Sequence, residues 1–148
     1  MKAAILQLPK IEDKRGNLSV IESLQHIPFT IKRTYLIFDV PGGGKRGGHA
    51  YIDQFEFIVS LSGSFDVHTD NGKNKKTFSL NRSYYGLLVP SMVWRSMDNF
   101  STNALCLVVS STKFDESDYI RDYDKFLDSL WYLPASRAIS AFCIKNLT

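Results

Sequence analysis

Hydrophobic residues recur at every second position along much of the chain, which is the pattern of half-buried β-strands. In the clearest case, the odd-numbered positions from Phe55 to Leu61 are apolar and share one face of the strand. The even-numbered positions, Glu56, Ile58 and Ser60, lie on the other face. Similar runs, bounded by Gly, Pro, Asn or Asp, predict seven strands over residues 18–22, 31–39, 54–61, 64–69, 75–80, 86–89 and 103–110.

Turn signals separate several of these strands. Residues 70–73 read Asp-Asn-Gly-Lys. They predict a type I′ hairpin, because Asn and Gly tolerate the positive φ that the two central positions of that turn require. Residues 41–44 read Pro-Gly-Gly-Gly and predict a loop, since three successive glycines weaken any strand.

The hydrophobic period changes from two to the helical value after residue 114. Acidic capping residues at 115–118 precede this run, which ends before Pro134 and predicts one amphipathic helix over about 116–131. The apolar residues that recur at helical spacing are Ile120, Tyr123, Leu127, Leu130 and Trp131. Residues 135–148 are interpreted either as a second short helix or as a tail that contacts a second copy of the chain. Short strands followed by one helix predict an all-β sandwich or barrel.

The composition narrows the class of protein further. The 148 residues are 44% hydrophobic and 22% charged, which is close to a globular average and suits one domain. No apolar run approaches the roughly 18 residues of a membrane span, and the first ten residues do not resemble a signal peptide. We therefore expect a cytoplasmic protein without a membrane partner, in which Cys106 and Cys143 are reduced thiols.

The charge distribution argues against nucleic-acid binding. The net charge is +3, from 18 basic and 15 acidic residues. The basic residues are scattered, and the tightest group, Lys73, Lys75 and Lys76, lies beside the predicted hairpin. A nucleic-acid-binding surface needs a stripe or patch of such residues, so we expect no nucleic-acid partner.

The three histidines are the candidates for acid–base chemistry. His26 lies in a predicted loop and His68 on the polar face of a predicted strand, so both are interpreted as surface residues. His49 follows the glycine-rich loop, three residues after Arg46, where a strand is expected to begin. An imidazole beside such a loop and an arginine has the ingredients of a site, and a structural role is an equal alternative on this evidence alone.

The spacing around His49 resembles the first sequence signature of the cupin superfamily. Residues at the signature positions are Gly43, His49, Tyr51, Glu56 and Gly63. In metal-binding cupins, histidines occupy the positions of both His49 and Tyr51, and a glutamate occupies that of Glu56. The resemblance implies an RmlC-like jelly-roll barrel with a C-terminal α-helix. It implies one domain over residues 1–148, with the jelly roll at about 11–112, the helix at about 116–131 and the tail at 135–148.

The second cupin signature resembles residues 90–99 but lacks its metal ligand. The superfamily has glycine at the position of Met92 and a third metal-binding histidine at that of Arg95. His49 and Glu56 therefore keep two of the four ligand positions. An arginine repels a divalent cation, and one imidazole with one carboxylate seldom holds a transition metal. We expect no catalytic metal.

An arginine in the mouth of a barrel suits a phosphate group instead. Guanidinium groups bind phosphate through two hydrogen bonds, so Arg95 with Arg46 and Arg15 forms a candidate diphosphate clamp. The alternative for each is a surface ion pair. Aromatic residues of the same region that suit stacking on a base or sugar ring are Tyr35, Tyr51 and Trp94. For Trp94, packing in the core is the favoured interpretation.

At these motifs the chain is similar to one cupin family, the dTDP-4-keto-6-deoxyglucose 3,4-ketoisomerases, also described as WxcM-like. The likeness runs from about residue 11 to 126. The motifs that carry it are residues 13–18 (DKRGNL), 27–29 (IPF), 31–35 (IKRTY), 46–50 (RGGHA), 62–64 (SGS), 93–95 (VWR) and 118–124 (DYIRDYD). The resemblance implies a homodimer that acts without metal or other cofactor on a dTDP-linked keto sugar.

The resemblance also implies a definite reaction. The family moves the keto group of a dTDP-linked 4-keto-6-deoxyhexose from C4 to C3 through an enediol, for surface polysaccharide or glycoside assembly. His49 matches the family's catalytic base. Tyr51 stands where the family usually has a second histidine, a position from which it could hydrogen-bond the enediolate or relay a proton. Residues at positions that line the family's nucleotide-sugar cleft are Arg15, Tyr35, Arg46 and Arg95.

Three alternatives stay open on the sequence. An epimerase for a related dTDP-keto sugar would return the proton to the same carbon, so product analysis separates it from an isomerase. A non-catalytic cupin would bind a nucleotide sugar without turnover, and Tyr51 is the feature that favours it. A metal-dependent cupin oxygenase or isomerase is the weakest alternative, and stoichiometric metal in the purified protein would favour it.

Overall fold

A computed structural model describes residues 1–132, in which strands are the main regular structure. The strands are β1 (Ala4–Gln7), β2 (Lys10–Ile11), β3 (Leu18–Ser19), β4 (Arg33–Ile37), β5 (Arg46–Tyr51), β6 (Glu56–Ser62), β7 (Phe65–Asp70), β8 (Lys75–Leu80), β9 (Tyr85–Val89), β10 (Trp94–Asp98), β11 (Leu105–Ser110) and β12 (Tyr119–Ile120). A 3₁₀ turn (Glu116–Asp118) precedes β12, and one helix, α1 (Tyr123–Ser129), follows it. The predicted all-β class with one helix is confirmed.

Within residues 1–132, the strands form two five-stranded antiparallel sheets and a separate two-stranded ribbon. The first sheet has the order β1-β9-β6-β11-β4 and the second the order β12-β5-β10-β7-β8. The ribbon pairs β2 with β3. Ile58 and Val108 of the first sheet and Val67 and Met97 of the second are fully buried in one cluster, which places the main core between the sheets.

The other face of the first sheet is also covered. Leu8, Ile27 and Phe29 of the N-terminal segments pack against Phe57 and Val59 of β6. As a result β6 is buried on both faces from residue 56 to residue 60. This strand therefore carries apolar side chains on both faces, where alternation alone indicated one buried face.

The hairpin predicted between β7 and β8 is confirmed, but the type I′ turn is wrong. The loop has four residues, 71–74, and Gly72 alone among them has positive φ, at 83°. The side chain of Asn71 accepts hydrogen bonds from the backbone N–H groups of Lys73 and Asn74, at 3.1 and 2.9 Å. The asparagine thus forms a side-chain turn instead of adopting a left-handed conformation.

The predicted helix over 116–131 is wrong in its extent. The Asp118 carboxylate accepts hydrogen bonds from the backbone N–H groups of Asp53 and Gln54, at 2.8 and 3.1 Å. The next two residues pair with β5 as β12, so the chain is extended there. Helix α1 begins only after Asp122, whose side chain accepts from the N–H of Lys125 as an N-cap. The predicted tail at 135–148 lies outside the described residues.

The barrel is also longer than predicted, because β1 lies before residue 11 and β12 after residue 112. Cys106 is a buried free thiol, as expected, whereas Cys143 lies outside the described residues. No helix within residues 1–132 is both long and apolar enough to cross a membrane.

Candidate active site

One end of the space between the two sheets opens into a cavity of about 460 Å³. Tyr35 of β4 faces it from the first sheet. His49 and Tyr51 of β5 and Arg95 of β10 face it from the second. The volume is within the range of small-molecule sites, so the cavity is the candidate active site.

His49 is a buried polar side chain of this cavity with an unsatisfied ring nitrogen. Only 7% of the residue is exposed, and its Nε2 is shielded from solvent without a hydrogen-bond partner among residues 1–132. Its ring lies 4.9 Å from that of Tyr51 and 5.0 Å from that of Tyr119, measured between centroids. Burial, followed by the charges of Arg95 and Arg121, lowers the pKa of His49 to about 3. The imidazole is therefore neutral at pH 7 and able to accept a proton.

Tyr51 lies two residues further along β5, on the same face of the strand. Its hydroxyl is also buried and has no hydrogen-bond partner in the described part of the chain. Burial raises the pKa of Tyr51, and the negative charge of Glu56 and the phenol of Tyr35 raise it further. Tyr51 therefore presents a neutral hydroxyl that donates and accepts hydrogen bonds but is not a base near pH 7.

Behind these two residues, Arg95 and Glu56 form a buried ion pair. Nε and Nη2 of Arg95 lie 2.9 and 2.7 Å from Oε2 of Glu56, and both residues are at most 2% exposed. Tyr35 closes the network, since its hydroxyl accepts from Arg95 Nη2 at 2.8 Å and donates to Glu56 Oε1 at 2.6 Å. Gln54 donates to the same carboxylate oxygen at 3.1 Å. The pair therefore has the additional hydrogen bonds that a buried ion pair needs.

This network engages the carboxylate that occupies a metal-ligand position in metal-binding cupins. Glu56, at a cupin ligand position, binds Arg95 and Tyr35. Across residues 1–132, no three His, Cys, Asp or Glu side chains lie close enough together to hold a metal ion. The donor set of this cavity therefore does not fit a divalent cation.

Two successive glycines allow Arg95 to occupy its place. Gly47 has φ of 80°, and a Cβ added there would lie 2.8 Å from Nη1 of Arg95. Gly48 has a similar φ of 82°, but a Cβ there would meet nothing within 4 Å. The close approach of the guanidinium therefore requires glycine at position 47, whereas position 48 needs it for backbone conformation alone.

The segment 114–121 forms one wall of the cavity, with Phe114, Tyr119 and Arg121. The Arg121 guanidinium lies 4.2 Å from the Tyr119 ring centroid and pairs with Glu116 at 2.9 Å. The two hydrogen bonds that Asp118 accepts from residues 53 and 54 hold this wall against the end of β5. The wall thus places an aromatic ring and a cation beside His49.

The family model described as FdtA, WxcM-like, C-terminal, matches residues 1–131 of this chain. The chain belongs to this WxcM-like family. It is 40% identical over 126 residues to the TDP-4-oxo-6-deoxy-alpha-D-glucose-3,4-oxoisomerase of Aneurinibacillus thermoaerophilus, covering 85% of this chain and 91% of that protein.

Solved structures of sugar 3,4-ketoisomerases have the same fold. QdtA, a sugar 3,4-ketoisomerase from Thermoanaerobacterium thermosaccharolyticum in complex with TDP, is 35% identical with a TM-score of 0.85, over 88% of this chain and 95% of that chain. WlaRB, a TDP-quinovose 3,4-ketoisomerase from Campylobacter jejuni, is 41% identical with a TM-score of 0.82, over 85% of this chain and 97% of that chain. The cupin jelly-roll prediction is therefore confirmed.

In this WxcM-like protein, most of the sequence-predicted site residues share one cavity. His49, Tyr51, Tyr35, Arg46 and Arg95 all line it. Their assigned roles stay predictions. The Arg95 guanidinium is engaged with Glu56 inside the barrel, so the clamp of Arg95, Arg46 and Arg15 is not assembled as the sequence suggested.

Arg15 lies elsewhere, on the hairpin between β2 and β3. Its side chain is 84% exposed and pairs with Asp13 at 2.7 Å. It does not line the cavity within its own chain. Trp94 does not line this cavity either. It is half-buried and packs against Tyr123 and Phe126 of α1, outside the two buried clusters, so its interpretation as a core residue stays a prediction.

Sequence reasoning missed several residues of the cavity, namely Arg33, Lys45, Phe114, Tyr119 and Arg121. Tyr119 and Arg121 fell inside the helix predicted over 116–131, which hid their alternation along an extended segment. The motif DYIRDYD covers both, so its match to the family was the available signal. Lys45 precedes the glycine pair 47–48 and carried no signal beyond its charge.

Proposed function

We propose that this WxcM-like protein is a 3,4-ketoisomerase that acts on a TDP-linked 4-keto-6-deoxyhexose without a metal. It moves the keto group from C4 to C3 through an enediol. The observation that carries the proposal is the buried, unpartnered Nε2 of His49 facing a cavity of substrate size. Relatives that are 35–41% identical over most of the chain are ketoisomerases of such sugars, which supports the same chemistry here.

His49 is the proton carrier between the two carbons. It removes the proton from C3, which forms the enediol, and returns a proton to C4. A general base works best when its pKa is near the working pH. The free-protein pKa of about 3 reflects burial and the cations Arg95 and Arg121. The negative charge of a substrate diphosphate acts against the two cations and raises the pKa of His49 from this value, whereas burial, the largest cause of the lowering, remains.

Tyr51 transfers the protons of the two substrate oxygen atoms, O3 and O4. The isomerisation also requires O4 to gain a proton and O3 to lose one. A neutral hydroxyl placed between them donates its proton to O4 and accepts the proton of O3, so it ends the cycle unchanged. The raised pKa of Tyr51 keeps the phenol neutral between turnovers, so the proton that O4 requires is present when the substrate binds.

Tyr35, Arg46 and Arg95 support substrate binding in different ways. Arg46 is exposed at the mouth of the cavity and is the candidate contact for a phosphate group. Arg95 and Tyr35 line the interior, where their hydrogen bonds with Glu56 fix the shape of the wall around the sugar. Fixed side chains of this kind reduce the reorganisation that catalysis requires.

Arg15 reaches a cavity only if that cavity belongs to a second copy. The ribbon and its loop, residues 10–19, are exposed throughout, and Ile11 and Leu18 are 56% and 53% exposed. We therefore include in the proposal a homodimer in which this ribbon packs on the partner and brings Arg15 to the partner's substrate. Light scattering measures the dimer, and Ile11→Ser is expected to weaken it. The cytoplasmic location expected from the sequence belongs to the same proposal.

An NMR time course in deuterated water, with dTDP-4-keto-6-deoxyglucose as substrate, tests the reaction. A 3-keto product is expected, at a rate unchanged by a chelator, with deuterium at C4 to the extent that the proton on His49 exchanges with solvent before it is returned. Deuterium at C3 of a 4-keto sugar whose configuration at C3 is inverted, with no 3-keto product, would indicate an epimerase. Binding without exchange at either carbon would indicate a non-catalytic protein. Tyr51→Phe is expected to lower kcat about 10- to 100-fold, since it removes one positioned proton-transfer group.

A further inference from the structure

Asp118 ties the wall at 114–121 to the chain just beyond β5. Its Oδ1 accepts a hydrogen bond from the backbone N–H of Asp53 at 2.8 Å, and its Oδ2 accepts one from that of Gln54 at 3.1 Å. Its carbonyl oxygen accepts from the N–H of Ile52 at 2.9 Å. The residue is half-buried, and hydrogen bonds to a carboxylate are stronger than those between neutral groups. Asp118 is therefore a strong tether between the two segments.

The tether determines where the next residues lie. The strand that follows Asp118, β12, is only two residues long, so its pairing with β5 contributes few hydrogen bonds of its own. Its first residue, Tyr119, has its ring centroid 5.0 Å from that of His49 and 4.6 Å from that of Tyr51. The Arg121 guanidinium lies 4.2 Å from the same Tyr119 ring. The cover beside His49 thus depends on a carboxylate that does not itself line the cavity.

This cover bears on how long a proton stays on His49. Protein atoms alone shield Nε2 from solvent. A proton on that nitrogen exchanges with water only when the structure opens locally around it. Of the two rings beside the imidazole, that of Tyr51 lies on the same strand, whereas that of Tyr119 lies on the tethered wall. Opening of the wall is therefore the local motion that exposes Nε2.

We propose that Asp118 is a positioning residue that holds the Tyr119 ring over His49, so that the proton taken from C3 is returned to C4 before it exchanges with water. The inference rests on the proposed function for the reaction itself. The C3–H bond breaks, its proton moves to Nε2 and its electron pair forms the C3–C4 double bond, while Tyr51 protonates O4. Tyr51 then takes the proton of O3, and the proton on Nε2 forms the C4–H bond, which restores the neutral imidazole. A small shift of Tyr119 admits the substrate carbon, whereas exchange with bulk water requires the wall to leave β5.

The isotope at C4 of the product measures this directly. Unlabelled dTDP-4-keto-6-deoxyglucose is converted in deuterated water, and NMR gives the ratio of deuterium to protium at C4 of the 3-keto product early in the reaction. The wild-type product should carry mostly protium. Asp118→Ala should raise the ratio about tenfold, since the loss of hydrogen bonds to a charged group shifts the equilibrium between closed and open wall by that order. Asp118→Asn, which keeps one acceptor oxygen, should lie between the two. The ratio is a property of each product molecule, so a smaller folded fraction does not change it.

Two further variants show whether Asp118 acts through the wall. Asp122→Ala is the matched control, because the Asp122 carboxylate also accepts from a backbone N–H, that of Lys125 at 2.9 Å, but does so within α1. It should keep the wild-type ratio. Tyr119→Ala removes the covering ring and should raise the ratio. Adding Asp118→Ala to Tyr119→Ala should raise it no further, since two changes that act through one contact are not additive.

Other results overturn the inference. A wild-type product that is fully deuterated at C4 would show that the wall does not retain the proton. Isomerisation with the same ratio in Asp118→Ala and in the wild type rejects the role of Asp118 and leaves the proposed reaction standing. Additive effects of Asp118→Ala and Tyr119→Ala would mean that Asp118 acts by another route. A wild-type protein that does not isomerise the sugar rejects both the proposed reaction and this role.

Discussion

The second sheet carries one histidine on each of its faces, and their surroundings are opposite. His49 faces the interior, 7% exposed, with an Nε2 that has no partner among residues 1–132. His68 faces outward on β7 with a side chain 40% exposed. Its Nδ1 lies 2.9 Å from the Thr77 hydroxyl and its Nε2 lies 2.7 Å from Asp98.

The difference indicates which histidine is the better candidate for contact with a ligand. Most buried polar atoms in folded proteins are hydrogen-bonded, so a buried imidazole nitrogen without a partner is a departure that needs a reason. A substrate that supplies the missing contact is such a reason. Both ring nitrogens of His68 have hydrogen-bond partners within the second sheet, although His68 is the more accessible of the two histidines. Accessibility alone would have selected the wrong residue.

Removing each imidazole in turn tests this comparison most strongly. His49→Asn is expected to lower turnover about 10²- to 10⁴-fold, the usual contribution of a positioned general base. His68→Asn is expected to change it less than about twofold. Initial rates by NMR give both values, and thermal unfolding confirms that both variants fold. Equal losses in the two variants would contradict the assignment of the base to the inner face.

The polar pairs on the two faces of the sheet also differ, and the free energy of unfolding compares them. Arg95→Met leaves the Glu56 carboxylate buried without its cation, which is expected to cost about 3–5 kcal/mol. Asp98→Asn breaks the half-exposed pair with His68 and is expected to cost less than about 1 kcal/mol. Urea unfolding gives both differences. The double variant Arg95→Met/Glu56→Gln should regain part of the loss, and an unchanged loss would exclude the buried charge as its cause.

The pH dependence of the free energy of unfolding tests the buried position of His49 further. The folded-state pKa is lowered to about 3 from an ordinary 6.5, so the unfolded chain binds the extra proton between those values. Stability therefore falls as pH decreases through this window, by at most about 1.4 kcal/mol per pH unit from this group. Carboxylates titrate there as well, so the measured quantity is the difference from His49→Asn, whose slope should be shallower. Tyr51→Phe should keep the wild-type slope, and a slope identical in all three proteins would contradict the lowered pKa.

The smallest effect concerns the two glycines at the start of β5. Gly48→Ala is expected to cost about 1 kcal/mol, from positive φ alone. Gly47→Ala is expected to cost about 1–2 kcal/mol more, because its Cβ would lie 2.8 Å from the Arg95 guanidinium. Chemical denaturation measures the free energy of unfolding of both variants. The backbone φ is nearly the same at the two positions, so the difference reports the contact with Arg95. Equal costs would mean that Arg95 moves aside freely, and the network with Glu56 would then not be rigid.

Much of the fold was predictable because its strands carry local signals. Residues 75–80 were predicted with the bounds that β8 has, and the all-β class followed from such runs. The start of β5 was not predictable, because Gly47 and Gly48 read as a continuation of the loop before them. In β10, the buried Arg95 hides the apolar alternation of the strand, since its partner Glu56 lies 39 residues away in the sequence.

The site was predictable where it coincided with a motif and not where it depended on distant segments. His49 and Tyr51 followed from spacing, and the glycine that cupins have at the position of Met92 is explained by a left-handed φ of 56° there. Tyr119 lies 68 positions after Tyr51 yet pairs with it. No local pattern encodes that pairing, which depends on the hydrogen bonds of Asp118 to residues 53 and 54.

The wall at 114–121 also gives the site an order of assembly during synthesis. Chains emerge from the ribosome with the N-terminus first, so every strand of the barrel up to β11 is available before Tyr119 and Arg121. A nascent chain that ends before the wall can pair those strands, but its His49 lacks both the covering ring of Tyr119 and the cation of Arg121. The surroundings of His49 are thus completed only after the other strands of the barrel have been synthesised.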